Sequence, residues 1–569
     1  MKKENKETMR DDRKRISMFI VSTLAVLCLV FMCTVPVAAQ AGPQPQVLSN
    51  AVVNQPLQFD ISPPLRDLAA KAPAPQGVRV IRPPLQPKLD KLKAAVQQGE
   101  PAGGSALAPS AGAPLSATIG LNFDGVGQNA TNSCPNATGF FTAPPDPNAA
   151  VGDTQVVQWV NVCYAIFDKA TGARIQQPFA GNAFWSGFGG PCEAANDSDP
   201  IIQFDKVNHR WVAAQNTFFH GFNTCIAISQ TADATGRFFR FAFPQPGFPD
   251  FPKWGLRPDV YYQTQNDFGN TGRFLGVNVC AYETGLLLKG NPKARQICIL
   301  DNGNDTLFDD SLLPADSDST LDAKGSPAPE VLLGSIDNSA SGNSVFEYVF
   351  TVNFKRNATA TLAGVQGTIP ITVPTYSLAC GGGICIPQPS PGSDLLDSLG
   401  DRLSYRLARF DDGTTQHFVV NHSVNNTTAV GVRWYDFTAP SGSTTLTLAD
   451  SGDTPDDGEF RWLGSAAMDR TGDIALGYSR SSAAAGDFPS IYVTGRVPSD
   501  PAGTLESETL IQQGGGSQFF TGGRWGDYSS MALDTADGCT FWYTSEYYPA
   551  DAVFAWNTRL ASLKFPTCP

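Results

Sequence analysis

A hairpin pattern that recurs seven times limits what this chain can become. An apolar run reaches a short turn built on Asp, Asn or Gly, and a second run rich in aromatic and β-branched residues follows. The copies are AAVGDTQVVQWVNV (149 to 162), IIQFDKVNHRWVAAQN (201 to 216), VYYQTQNDFGNTGRFLGVNV (260 to 279), VLLGSIDNSASGNSVFEYVF (331 to 350), LARFDDGTTQHFVVNHS (407 to 423) and AAMDRTGDIALGYS (466 to 479). The plainest is the last, where Ser530-Met531-Ala532-Leu533 leads through Asp534-Thr535-Ala536-Asp537-Gly538 into Cys539-Thr540-Phe541-Trp542-Tyr543-Thr544. A lone hairpin cannot bury its own faces, so tandem recurrence means an array whose members cover one another. Closing such an array removes its exposed edges, and the expected fold class is therefore all-β, a seven-bladed β-propeller.

Taken at Asp153, Asp205, Asp267, Asp337, Asp411, Asp469 and Asp534, the repeats are 52 to 74 residues apart, so each unit carries long loops. The longest insertions, 283 to 325 and 366 to 400, are where binding is expected. Third strands follow most hairpins, at 164 to 172, 225 to 233, 295 to 302, 430 to 437, 489 to 497 and 558 to 565. Ser116-Ala117-Thr118-Ile119-Gly120-Leu121-Asn122-Phe123 alternates like a strand but has no hairpin partner, and is expected to close the ring by pairing with the last unit.

Basic residues, an apolar stretch from Ile16 to Val37 and Ala39-Gln40-Ala41 read as an export signal over residues 1–41. Residues 42–115 turn to Pro, Ala, Gln and Gly and read as a disordered spacer with a short helical pattern at 89 to 96, leaving 116–569 as the β domain. Export accords with the cysteines, because ten remain once the signal is removed, an even number suited to disulfides. Cys380 with Cys385 closes a short loop, Cys539 with Cys568 ties down the chain end, and Cys192 with Cys225 and Cys280 with Cys298 are further expected pairs. The net charge of -13 argues against nucleic acid or an anionic membrane surface as partner.

No complete catalytic signature appears. There is no G-x-S-x-G and no HExxH, and His422 beside Ser423 is adjacency rather than a base placed by folding. The most informative polar feature is an acid ahead of six of the seven inner strands: Asp146, Asp199, Asp259, Glu330, Asp401 and Asp527, with none at Arg461 to Ser465. In a ring these carboxylates would meet at one mouth and suit Ca²⁺ or a cationic or polyhydroxylated ligand. They equally suit a structural role as acceptors of backbone N–H groups, and Arg257, Arg402 and Arg524 lie close enough in sequence to pair with three of them. A second acidic stretch, Asp301, Asp305 and Asp309, is a candidate loop cation site without the Gly and Glu of a helix-loop-helix calcium loop. Trp185, Phe218, Phe219, Tyr547 and Tyr548 are candidate sugar-stacking rings, or core.

Several motifs in fixed order, PPDPNAAVGDTQVVQWVNVCYAIFDKATG, FPKWGLRPDVYYQTQNDF, FRWLGSAAMDRTGDIALGYS and RWGDYSSMALDTADGCTFWYTSEYY among them, resemble a family of secreted bacterial β-propeller-like proteins of uncharacterised activity. The resemblance runs from about Asn122 to Cys568 and implies export, with no agreed reaction. More loosely, Leu533 to Phe541 resembles the S-x-D-x-G-x-T-W turn of sialidase-type propellers with altered spacing, but the Phe/Tyr-Arg-Ile-Pro motif is missing, which speaks against sialidase chemistry. The combined expectation is a secreted or cell-surface module that binds extracellular glycan or protein, with Ca²⁺ as candidate cofactor. The rival readings are a glycan-cleaving hydrolase with carboxylates such as Asp259 and Asp527 at the channel mouth, and a structural surface-layer component.

Overall fold

A computed structural model describes residues 45–69, 113–128, 134–138, 141–197, 199–302, 310–321, 328–335, 341–534 and 536–569, all within the unit Pro45–Pro569. The export segment and the helical pattern at 89 to 96 lie outside them.

Local chemistry explains the turn acids. Asp205 Oδ1 accepts the amides of Val207 and Asn208 at 3.1 and 2.8 Å. Asp411 Oδ1 accepts Gly413 N at 2.9 Å, Asp469 Oδ1 accepts Thr471 N at 2.8 Å, and Asp534 Oδ1 accepts Ala536 N at 2.9 Å. Each carboxylate caps its own turn, which satisfies backbone donors that no strand can reach.

Each hairpin is extended by further strands into an antiparallel set. The sets begin at Pro147–Val151, Ile201–Asp205, Phe248–Leu256, Leu313–Ser317, Ser404–Asp411, Phe460–Met468 and Ser530–Leu533, and the second, third and fourth strands follow outward in chain order for most of them. The last set takes its fourth strand from far upstream: Thr118–Gly127 pairs antiparallel with Asn557–Lys564, as expected of the unpartnered N-terminal strand. Every first strand touches the first strand of the next set, and Ser530–Leu533 touches Pro147–Val151. Leu313–Ser317 and Ser404–Asp411 are hydrogen-bonded in parallel. Side chains tie others: Asn148 Oδ1 accepts Ile202 N at 2.7 Å, Asp316 Oδ1 accepts Leu256 N at 3.0 Å, and Ser465 Oγ accepts Met531 N at 2.9 Å.

The core lies in layers between consecutive sets, which is why Gln155–Val160 and Asn223–Ser229 are buried on both faces instead of alternating. Trp159 and Ile166 pack with Trp211 and Ala213; Val419 and Trp434 pack with Ala466 and Leu476; Val156 and Phe167 of the first set pack with Trp542 and Leu560 of the last. Emptying one such tryptophan site costs about 3 to 5 kcal/mol.

Two expectations need correction. Part of the supposed spacer is ordered: Gln58–Ile61 pairs with Phe238–Pro244, Val52–Asn54 with Gln296–Asp301, and Gln46–Leu48 with Thr359–Val365. The segment is too poor in apolar residues to fold alone, but it needs no core, because sheet edges supply its hydrogen-bond partners. The third and fourth hairpins are also not first hairpins. VYYQTQNDF forms the second strand of its set, behind Phe248–Leu256, and Glu330–Ser335 lies behind Leu313–Ser317. Asp267 therefore sits in a strand and not in the first turn.

Among the described residues there are five disulfides: Cys134–Cys163, Cys192–Cys225, Cys280–Cys298, Cys380–Cys385 and Cys539–Cys568. The four expected pairs are among them, and Cys134–Cys163 completes the set. None of the described helices is long and apolar enough to cross a membrane.

Candidate functional site

The acids expected ahead of the inner strands divide into two groups. Asp146, Asp199 and Asp527 come together where the first strands begin. Asp527 N donates to Asp146 Oδ1 at 2.6 Å, Asn161 Nδ2 donates to Asp146 Oδ2 at 2.9 Å, and Asn161 Oδ1 accepts Asp199 N at 3.1 Å. Asp401 heads its strand at the same end and is clamped by Arg402 at 2.9 and 3.1 Å, while Arg524 pairs with Asp527.

Asp259 and Glu330 do not join them. They precede second strands, and Arg257 lies 3.6 Å from Glu330 at the opposite end of the first strands. Their places are taken by Asp250, within Phe248–Leu256, and by Asp310, just ahead of Leu313–Ser317. The error has a physical cause, since an acid followed by an apolar run looks the same before a second strand as before a first. One signal could have found the right register. Asp146, Asp199, Phe251, Ser311, Leu399 and Leu463 all hold left-handed backbone with φ of 43° to 60°, and the first three are each followed by proline. Such a conformation in a bulky residue costs about 1 kcal/mol or more, so its recurrence marks one structural position.

Sequence reasoning also missed the side chains that stand beside these acids. Lys253 Nζ lies 3.4 Å from the Phe251 ring centroid and 4.1 Å from that of Tyr528, and donates to Pro252 O at 3.1 Å. The Arg402 guanidinium lies 4.6 Å from the centroid of the same Phe251 ring. Glu546 Oε1 accepts Gly526 N, whereas its Oε2 and the Tyr528 hydroxyl are buried with no hydrogen-bond partner among the described residues. Asp146 and Glu546 are almost wholly buried, at 1% exposure each, while the side chain of Asp527 keeps 14% and that of Arg524 15%.

Burial dominates the electrostatics. It pushes Asp250 up to about 8, reinforced by the charges of Asp199 and Asp527. Asp146 and Asp199 rise for the same reasons, burial first and neighbouring carboxylates second. Glu546 rises through burial, and burial pushes the Lys253 ammonium down to about 8 against the pull of Asp199, Asp527 and Asp146. At neutral pH this cluster shares protons instead of carrying every charge.

Beneath it, Arg406 Nη1 bonds Asp316 Oδ2 at 2.9 Å, Arg406 and Lys206 both reach Asp318, and Arg406 Nε donates to Met531 O at 2.8 Å. The space between Ala149, Gln203, Lys206, Asp316, Arg406 and Ser530 is about 20 Å³, room for about one water.

The remaining candidates are structural or lie outside the described residues. Asp301 is buried in a strand, paired in register with Val277, and Asp305 and Asp309 are not described. Asp469 lies beside Cys539 and Cys568, but those sulfurs form a disulfide and offer no thiolate. His422 is buried with Nε2 3.0 Å from the Tyr435 hydroxyl, and Ser423 Oγ accepts Leu463 N, so the two form no nucleophile and base pair. Trp185, Tyr547 and Tyr548 are core, and Phe218 is half-buried. Phe219 is 67% exposed.

No protein-family model and no curated protein matches this chain, so the motif resemblance to a secreted family has no matching model behind it. Among solved structures, an α-L-arabinofuranosidase of Fusarium graminearum overlaps with a TM-score of 0.36 at 10% identity, covering 78% of this chain and 97% of that one. A polysaccharide lyase overlaps with 0.36 at 10%, covering 79% and 98%. The WD40 domain of SCAP from fission yeast overlaps with 0.30 at 10%, covering 72% and 82%. Overlaps this loose carry no functional argument.

Proposed function

We propose that the chain is a secreted, seven-bladed β-propeller that binds an extracellular glycan across the face where its first strands begin. The ring reading is supported by the run of contacts from each first strand to the next, returning from Ser530–Leu533 to Pro147–Val151. Export is supported by five disulfides and by the charged, then apolar, then small-residue order of the N-terminus.

One observation carries the glycan reading: exposed rings stand in segments tied to the acids by sequence or by hydrogen bond. Phe141 (40% exposed) precedes Asp146 in its loop, Phe520 (80%) precedes Asp527, and Phe219 (67%) donates its amide to Asp197, two residues from Asp199. Exposed aromatic rings offer flat apolar faces that a ligand can cover. Rings that stack on the C–H faces of sugars, with carboxylates to accept their hydroxyls, form the minimal set for a polyhydroxylated ligand. The test is a glycan array probed with the full chain, because removing residues 45–61 would strip three edge strands. Binding by the wild type that is lost in both Phe219→Ala and Phe520→Ala supports the reading, and binding that survives both removes it.

A second reading, glycan hydrolysis, is favoured by the carboxyl of Asp250, held protonated to about 8 beside Asp199 and Asp527, as a general acid must be. Turnover by the wild type on a glycan panel, abolished in a folded Asp250→Asn protein, would make the enzyme reading the correct one.

A further inference from the structure

Of the ten bridged cysteines, eight are at most 6% exposed, and only Cys380 and Cys385 are half-buried. Their bridge also closes the shortest loop, with a sequence separation of 5 against 18 to 33 for the others. A short loop restricts the unfolded chain least, so opening this bridge costs the fold least, and partial exposure lets a thiolate reach it. The backbone inside the loop is held out of its ordinary wells: Cys380, Gly381 and Gly382 all have positive φ, 53°, 60° and 83°. Glycine accepts that conformation, but at Cys380 it persists only because its surroundings impose it.

The loop is tied on two sides to the candidate site. On one, Gly382 packs so closely on Asp401 that a Cβ there would stand 3.0 Å from the Asp401 Cβ, and Asp401 forks onto Arg402, whose guanidinium lies over the Phe251 ring. On the other, Ile384–Ile386 pairs antiparallel with Leu396–Asp397. Ser398 fastens that pair to the bridge loop, its amide and its hydroxyl both donating to Gly383 O, at 3.0 and 2.8 Å. The same segment holds the loop that carries Phe520: Asp397 N donates to Gly523 O at 2.8 Å, Asp394 N to Gln518 O at 3.1 Å, and Thr521 N to Asp394 Oδ2 at 2.8 Å. The one accessible bridge therefore anchors a segment on which both Asp401 and the Phe520 loop lean.

We propose that Cys380–Cys385 is a site of thiol–disulfide exchange with a dithiol, and that its opening frees the segment 381 to 398 and with it the loop that carries Phe520. A thiolate of the dithiol attacks one sulfur, the S–S bond breaks, and the displaced cysteine leaves as thiolate and takes a proton from water. The second thiolate of the reagent then attacks the mixed disulfide, so the dithiol ends as a disulfide and both cysteines end as thiols. Two electrons and two protons pass from the dithiol to the protein, and the reverse sequence restores the bridge. The other four bridges stay closed because their residues are buried in the folded protein. No glycan enters this step, so it stands or fails apart from the glycan reading.

The experiment exposes the folded, disulfide-intact full chain to dithiothreitol, quenches with iodoacetamide at successive times and follows each cysteine by peptide mass spectrometry. Cys380 and Cys385 should be labelled roughly tenfold faster or more than any other bridged cysteine. A reduced protein carrying a C-x-x-C pair, used in parallel, distinguishes a protein-borne dithiol from a small one, and opening by either supports the exchange. Amide hydrogen exchange of the selectively alkylated protein should then quicken by roughly tenfold or more at Asp397, Ser398 and Thr521, while Val212 and Ala213, paired inside the second set, keep their protection. The double variant Cys380→Ser, Cys385→Ser lacks the bridge without any added alkyl group and should show the same pattern. A buried pair labelled first or at the same rate, or no labelling of Cys380 and Cys385 short of global unfolding, overturns the proposal. So does unchanged exchange at Asp397, Ser398 and Thr521 in the alkylated protein.

Discussion

Replacing Asp250 by Asn tests the electrostatics of the site most directly. The wild-type carboxyl moves from an ordinary 3.8 to about 8 on folding, a rise of about 4 pH units. At about 1.36 kcal/mol per unit, ionising Asp250 in the folded protein costs up to about 6 kcal/mol more than in the unfolded chain. The sign follows from proton counts. Between about pH 4 and pH 8 the folded state holds a proton that the unfolded state has lost, so stability falls as pH rises through that window and levels off above it. Asparagine has the same shape and no charge to bury, so the variant lacks this slope. Treating unfolding as one cooperative step with about 1 kcal/mol/K of unfolding entropy for a unit of roughly 500 residues, the ceiling corresponds to about 6 °C in Tm. Coupling to Asp199, Asp527 and Lys253 shares the cost among groups, and about half of that ceiling is the expected gain. The assay is scanning calorimetry of both proteins at pH 4, 6, 8 and 9 with chelator present throughout, so that cation binding does not contribute. The variant should match wild type near pH 4 and melt several degrees higher at pH 9. A difference that does not change with pH, or a less stable variant at pH 9, would refute the assignment of Asp250 as a buried, protonated carboxyl.

Three further outcomes follow from the packing and the edges. Deleting Thr118–Gly127 removes the fourth strand of the last set and should lower Tm by roughly 10 °C or more, whereas an unchanged Tm would show that the pairing with Asn557–Lys564 contributes nothing to stability. Trp211→Ala should lose about 3 to 5 kcal/mol in denaturant titrations, because the side chain is fully buried between the first two sets and its Nε1 donates to Ala232 O at 2.8 Å. Deleting residues 45–61 bares the outer edges of three sheets and should appear as concentration-dependent self-association in light scattering, with little loss of Tm, and a strictly monomeric product would contradict the edge-protection role.

Much of the fold is local and was therefore legible. Turn acids such as Asp205 and Asp469 cap their own loops, so the hairpin pattern reports chemistry that operates over two to four residues. The alternating, partnerless strand at Thr118 announced its need for a distant neighbour. The site was half legible: Asp146, Asp199, Asp401 and Asp527 stand where their positions before a strand implied, and Asp259 and Glu330 do not.

What the chain alone determined was the hairpin unit, its repetition, its turn chemistry and the cysteines available for bridging, because each depends on neighbours in sequence. Which strand stands first in its set was decided only in three dimensions: Phe248–Leu256 and Leu313–Ser317 stand first because they touch the first strands of the neighbouring sets. The same holds for Lys253, whose ammonium is held by rings contributed from positions 251 and 528, and for residues 45–61, whose strand state exists only against three sheet edges. A carboxylate's place in sequence says that it can bear charge, but its burial and its neighbours decide whether it does.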